Sequence, residues 1–130
     1  MKLTEKCYCV TGLDHSDCFS VNTGFVVGEK ETIVIDSGFT TESAKTIYGY
    51  CQAVKTQRIS YVINLEGHYD HIFGDGFFID KGAKIVAHSS VYLEKQDIDE
   101  FVHSSNKEIK IKSRRKNKEA FIYFRGVTPF

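Results

Sequence analysis

Apolar and polar positions fall first into short β-like runs, then into one helical stripe, then into β-like runs again. Glu5 to Val10 and Cys18 to Val27 read as strands, separated by the turn-rich Gly12-Leu13-Asp14-His15-Ser16-Asp17. Gly28-Glu29-Lys30-Glu31 makes a hairpin turn into Thr32-Ile33-Val34-Ile35, so the chain opens as a β-meander. After Asp36-Ser37-Gly38 the period lengthens. Ala44, Ile47, Tyr48, Cys51 and Val54 trace one stripe of a helix capped by Thr40 or Thr41, with Lys45, Gln52 and Lys55 off the stripe and toward water. The near-continuous apolar run Ile59 to Leu65 predicts a strand buried on both faces, which closes a β-α-β crossover.

Beyond that crossover, Ile72 to Ile79 is rich in Phe and Gly, and Asp80-Lys81-Gly82 turns into a strand over Ala83 to Ala87 that His88 ends. Ser90 to Val102 has a moderately amphipathic helical pattern. Residues 107–118 are a basic connector, and Ala120 to Phe124 is a short strand.

The size, 130 residues, is that of a single domain with room for a core. With 42% hydrophobic and 13% aromatic residues it is globular rather than disordered. Lys plus Arg equals Asp plus Glu at 17 each, so net charge proposes no polyanionic partner. The basic stretch Lys107 to Lys118 lacks the interleaved aromatic residues that stack on bases, and no nucleic-acid partner is expected. No apolar run approaches the roughly 20 residues of a membrane span, and Met1 to Lys6 lacks the apolar core of a signal peptide. A cytoplasmic address with no membrane partner is the expectation. Cys7, Cys9, Cys18 and Cys51 form no Cys-x-x-Cys pair and are expected to be reduced there.

The chemistry is concentrated in Asn64-Leu65-Glu66-Gly67-His68-Tyr69-Asp70-His71, directly after the strand that closes the crossover. In an extended chain Glu66, His68 and Asp70 line one side, and His71 breaks that alternation. Such a split suits two neighbouring metal positions, one fed by Glu66 and His68 and the other by Asp70 and His71. Imidazole with carboxylate suits Zn, Fe or Mn rather than Ca or Mg. Elsewhere the bland readings win. His15 and Asp17 belong to a turn, His88 to the entry of the next helix, and His103 to a polar stretch.

This cluster, followed by Ile72-Phe73-Gly74-Asp75, resembles the His-x-His-x-Asp-His loop of the metallo-β-lactamase superfamily. The upstream Thr32 to Gly38 resembles that family's early strand ending in Asp-Thr/Ser-Gly. The resemblance covers about 22–89. It implies an α/β (α+β) fold, a metallo-β-lactamase-like αββα sandwich of which this chain supplies about the first half. It also implies a metal-dependent hydrolase, with a metal-activated hydroxide attacking an ester, amide, thioester or phosphoester of a small-molecule substrate. His68, Asp70 and His71 match motif positions, and Glu66 stands where the family's first histidine is usual. The implied metal ligands are therefore Glu66, His68, Asp70 and His71, holding one or two zinc ions, with Fe or Mn admitted by the harder Glu66. Asp70 is the implied catalytic residue, taking a proton from the attacking water. For Asp36 the resemblance implies support of the ligand loop, while the residues alone also allow a cap or turn role.

The family's later ligands, a histidine after a Pro-Gly-His-like turn, a bridging aspartate and a last histidine, have no counterpart after His71. Half a sandwich exposes an apolar face, so a homo-oligomer or a missing C-terminal half is expected. The alternatives are a non-catalytic half-domain acting as a binding or dimerisation module, and a nuclease-like relative.

Overall fold

A computed structural model of the chain describes residues 1–16, 19–88, 91 and 121–124. The strands are β1 (Cys7–Ser16), β2 (Phe19–Val27), β3 (Glu31–Ile35), β4 (Arg58–Asn64), β5 (Lys84–His88) and β6 (Phe121–Phe124). The helices are α1 (Thr41–Val54), α2 (Tyr69–Ile72) and α3 (Asp75–Asp80). One sheet takes the strands in chain order, β1 to β6. The first three are antiparallel and the last four run parallel, with α1 as the crossover between β3 and β4.

The predicted opening meander is present, but its first turn is shorter than the sequence suggests. β1 continues through the Gly12 to Ser16 segment and pairs Leu13 with Val21 and Asp14 with Ser20. Register shifts between Val10 and Leu13 and between Asp14 and Ser16 accommodate the extra residues, with Gly12 at φ 70°. A bulge thus replaces the expected loop, and the turn formers sit inside a ladder. His15 lies in that strand, whereas Asp17 and Cys18 fall outside the described residues.

Helix α1 forms where its signals place it. Thr40 is the N-cap and its hydroxyl accepts the Ser43 N–H at 3.1 Å, a contact of the kind that contributes about 1 kcal/mol. Its C-terminus is held by Lys55, whose N–H donates to the Cys51 carbonyl and whose ammonium donates to the carbonyls of Gly28 and Glu29 at 3.1 and 2.7 Å. Ala44, Ile47 and Cys51 are fully buried against Phe25, Val34, Val62 and Phe78, with Tyr48 packed at the margin. Val54 departs from the predicted stripe: it is the last residue of α1 and is 40% exposed.

β4 also differs from expectation. Its burial alternates over Tyr61 to Asn64, with Val62 and Asn64 buried and Tyr61 and Ile63 only half-buried. The alternation has a structural cause, because the helices cover one face of the sheet. On the other face the register places two rows side by side. Cys9, Gly24, Ile35, Ile63 and Val86 form one, and Cys7, Val26, Ile33 and Tyr61 the other. All of these residues are half-buried, and none belongs to the buried core.

The predicted strand at residues 120–124 is β6, paired in parallel with β5. The helix expected over Ser90 to Val102, His103 and the basic connector 107–118 lie outside the described residues, apart from Val91. Among the described residues no helix is long and apolar enough to cross a membrane.

Candidate metal centre

Two segments meet at the carboxyl end of the central parallel strands. One is the β3 exit, Asp36-Ser37-Gly38; the other is the β4 exit, Leu65 to Gly74, which bears the four candidate ligands. Crevices beyond the carboxyl ends of parallel strands are the usual place for chemistry in α/β sheets.

The β4 exit is extended only as far as His68, which has φ −68° and ψ 145° and caps α2. Asp70 and His71 lie in the first turn of that helix. The predicted alternation of Glu66, His68 and Asp70 along one extended side therefore stops at His68. From there helical geometry brings His71 onto Glu66 and leaves Asp70 at the edge of the cluster.

Glu66 becomes the centre of the cluster. One carboxylate oxygen is in hydrogen-bond contact with His68 Nδ1, and the other lies 2.9 Å from His71 Nε2. The Asp70 carboxylate stands farther off, 3.7 Å from the same His71 nitrogen. The grouping that sequence alone suggests, Glu66 with His68 and Asp70 with His71, is thus redrawn as Glu66 with both imidazoles and Asp70 at the edge. The contact with His68 and the positive charge of His71 hold the Glu66 carboxyl below its usual range, against a smaller opposing effect of burial. Hydrogen bonding to Glu66 and its negative charge raise His68 above the ordinary histidine value.

Asp36 anchors the arrangement from the neighbouring strand. Its Oδ1 accepts the Leu65 N–H at 2.9 Å and its Oδ2 meets His71 Nδ1 at 3.0 Å. The residue adopts φ 58°, a left-handed conformation that aspartate tolerates better than most L-residues. Strain of this kind clusters at functional sites. Of the two roles open to Asp36, loop support is the one its contacts show, since Thr40 supplies the helix cap. Ser37 adds two further ties: its N–H and its hydroxyl both donate to the His71 carbonyl, at 2.7 and 3.2 Å.

The two exits approach so closely that one position requires glycine. Gly74 donates its N–H to the Gly38 carbonyl at 2.9 Å, and a Cβ at position 74 would lie 2.1 Å from the Ser37 carbonyl oxygen. At the base of the loop, Asn64 Nδ2 donates to Asp75 Oδ2 at 2.8 Å, both residues being buried. Sequence reasoning singled out neither Asn64, Asp75 nor a bonding role for Ser37. The only available signal was their position, immediately flanking the two motifs. His88 ends β5, as the sequence suggests, and is exposed; the helix entry expected there lies outside the described residues.

The donor chemistry fits a divalent transition metal: two imidazole nitrogens and a carboxylate face one another, and one imidazole is oriented from behind by a second carboxylate. Among the described residues, however, no three His, Cys, Asp or Glu side chains form a ready-made cage.

Comparison with known proteins agrees with the fold. Solved structures that resemble the chain include the metallo-beta-lactamase FIM-1 from Pseudomonas aeruginosa in a mono-zinc form, at TM-score 0.60 and 16% identity over 68% of this chain and 40% of that one. A metallo-beta-lactamase from Erythrobacter litoralis matches with TM-score 0.60, 20% identity and the same two coverages, 68% and 40%. One from Pontibacter korlensis gives TM-score 0.61 and 15% identity over 82% of this chain and 46% of that one. The chain therefore spans less than half the length of these three relatives, and it carries their fold over that part. No curated protein matches the chain. The family model described as the metallo-beta-lactamase superfamily matches residues 16–124, which include the Asp36 turn, the Glu66 to His71 cluster and every parallel strand. On that match the chain belongs to the metallo-beta-lactamase superfamily.

Proposed function

We propose that the Glu66–His68–His71 cluster, with Asp70 beside it, is the first half of a hydrolytic metal centre, holding zinc or a harder ion such as Fe or Mn. The observation that carries this reading is the Glu66 carboxylate set between two imidazoles, one of which is held at its far nitrogen by Asp36. A cation entering between these groups finds the same donors that a shared proton finds now. Glu66 in place of histidine adds a negative charge and hardens the set.

In this reading Glu66, His68 and His71 bind the ion, and Asp70 is the further ligand at the edge of the cluster. Zinc held there would supply Lewis acidity that lowers the pKa of water toward about 7. Asp70 would take the proton of the attacking water and return it to the leaving group of an ester, amide, thioester or phosphoester. By accepting a proton from Nδ1, Asp36 would leave the lone pair of His71 Nε2 free for the ion.

Elemental analysis of the purified chain for Zn, Fe and Mn, beside His68→Ala/Asp70→Ala, tests the reading. One or two ions per chain, lost in the double variant, support it; a metal-free wild type after zinc loading overturns it. A second reading is favoured by the two half-buried apolar rows: a non-catalytic module that binds through its open sheet face. It predicts association without hydrolysis, by wild type and double variant alike.

A further inference from the structure

All four candidate ligands lie on one ten-residue segment, 65–74, between the end of β4 and the start of α3. Its two flanking residues are Asn64 and Asp75, and they are bonded to each other: the Asn64 amide donates to Asp75 Oδ2 at 2.8 Å. Asn64 is 5% exposed and Asp75 not at all. A carboxylate placed out of water is costly unless it is bonded, so a residue of this kind belongs to a fixed arrangement rather than to a mobile one.

Asn64 is simultaneously the last residue of β4, in register with Ala87 of β5, so one end of this bond belongs to the sheet. Asp75 opens α3, whose Phe78 is fully buried against the sheet, so the other end belongs to the helix layer. The bond therefore fixes how far apart the two ends of the ligand segment stand. From the β3 exit, Asp36 and Ser37 hold the same segment at its first residue, Leu65, and at His71, and the Gly38 carbonyl holds Gly74; the Asn64–Asp75 bond adds a direct tie between the two flanking residues themselves.

We propose that Asn64 and Asp75 are positioning residues: a buried clamp that closes the ligand segment and sets the mutual geometry of Glu66, His68 and His71. This rests on the reading of that cluster as a metal site. Neither residue is a ligand. Breaking the clamp lets the ends of the segment part, so that the two imidazoles reach the ion with altered geometry even in a folded chain.

The test uses the 130-residue chain, zinc competition against a chromophoric chelator, and the absorption spectrum at saturating cobalt(II). Asp75→Ala is expected to weaken zinc by about ten- to hundredfold, in line with the loss of other groups that support metal ligands, and to shift the cobalt bands. Asp75→Asn keeps an acceptor oxygen for the Asn64 amide and is expected to stay near wild type. A purely structural role would lower the folded fraction without moving the spectrum of the chains that remain folded.

If Asp75→Ala does not fold, the exchange Asn64→Asp/Asp75→Asn decides, because it rebuilds the bond in reverse. Wild-type affinity and spectrum in the folded exchange variant support the clamp, and a weakened site there overturns it. Unchanged zinc affinity in a folded Asp75→Ala also overturns the clamp while leaving the metal site standing. A wild type that binds neither zinc nor cobalt overturns the metal reading itself, and the clamp with it.

Discussion

Asp36 Oδ2 and His71 Nδ1 meet at 3.0 Å across 35 residues of sequence, joining the exit of β3 to the first turn of α2. The same carboxylate accepts the Leu65 N–H, so one side chain sets both the path of the ligand loop and the face of one imidazole. Asp36→Ala is expected to lower zinc affinity about ten- to hundredfold, as read by chelator competition. Asp36→Asn tolerates the left-handed backbone and keeps one acceptor, so it is expected to fall between wild type and Asp36→Ala.

Gly74→Ala tests the close approach of the two strand exits. Its φ of −74° suits alanine, so any penalty is steric, and the added Cβ would lie 2.1 Å from the Ser37 carbonyl oxygen. That partner is backbone and cannot rotate away. A loss of about 1–3 kcal/mol or more is expected in urea unfolding, together with weaker metal binding.

The Glu66–His68 contact gives a pH dependence of definite sign. His68 is raised above 6.5, so its stabilising contribution is complete below that value and is lost as pH rises through the folded-state value. Glu66 is lowered from 4.5, so its contribution is present above that value and is lost as pH falls through the folded-state value. Between these limits the metal-free pair is fully formed. An NMR titration of the metal-free chain is expected to place the His68 midpoint above 6.5 and to return it toward 6.5 in Glu66→Gln. Zinc must displace that proton, so its affinity is expected to rise with pH across the same range.

The three described cysteines differ in expected reactivity. Cys51 is fully buried in α1, and burial pushes its thiol up to about 12. Cys7 and Cys9 are half-buried and free. Under native conditions iodoacetamide is expected to label Cys7 and Cys9 first and to reach Cys51 only on unfolding, as read by peptide mass spectrometry.

The half-buried apolar rows on the second face of the sheet predict association. Ile33, Ile35, Ile63 and Val86 occupy neighbouring positions on it by register. Sheets bury such faces against a second layer about 10 Å away. The isolated chain is expected to self-associate in light scattering, and Ile63→Lys to shift it toward monomer. A compact wild-type monomer with a sharp thermal melt would count against this.

The regions legible in sequence were those governed by local pattern. The stripe through Ala44, Ile47 and Cys51 gave α1, and turn chemistry at residues 28–31 gave the β2–β3 hairpin. The Asp36 turn and the Glu66 to His71 cluster were legible as motifs and in fact lie together. What stayed hidden depended on contacts between distant segments. Period-two reasoning carried the extended chain past His68, where a helix takes over. Turn formers at Gly12 to Ser16 were absorbed by a bulge because β2 offered them pairing partners. Asn64 and Asp75 carry no pattern of their own, and only the fold makes them a pair.

Among the described residues, four hydrogen bonds that hold the ligand loop join partners between residues 36 and 75, with separations of 29, 34, 35 and 11 residues. Closure entropy grows only slowly over such distances. At a synthesis rate of about 5–20 residues per second, every partner in these ties emerges within seconds of the others. The outermost parallel strand, β6 at Phe121–Phe124, emerges later. The partners of these four bonds are thus all synthesised before the strand that completes the sheet.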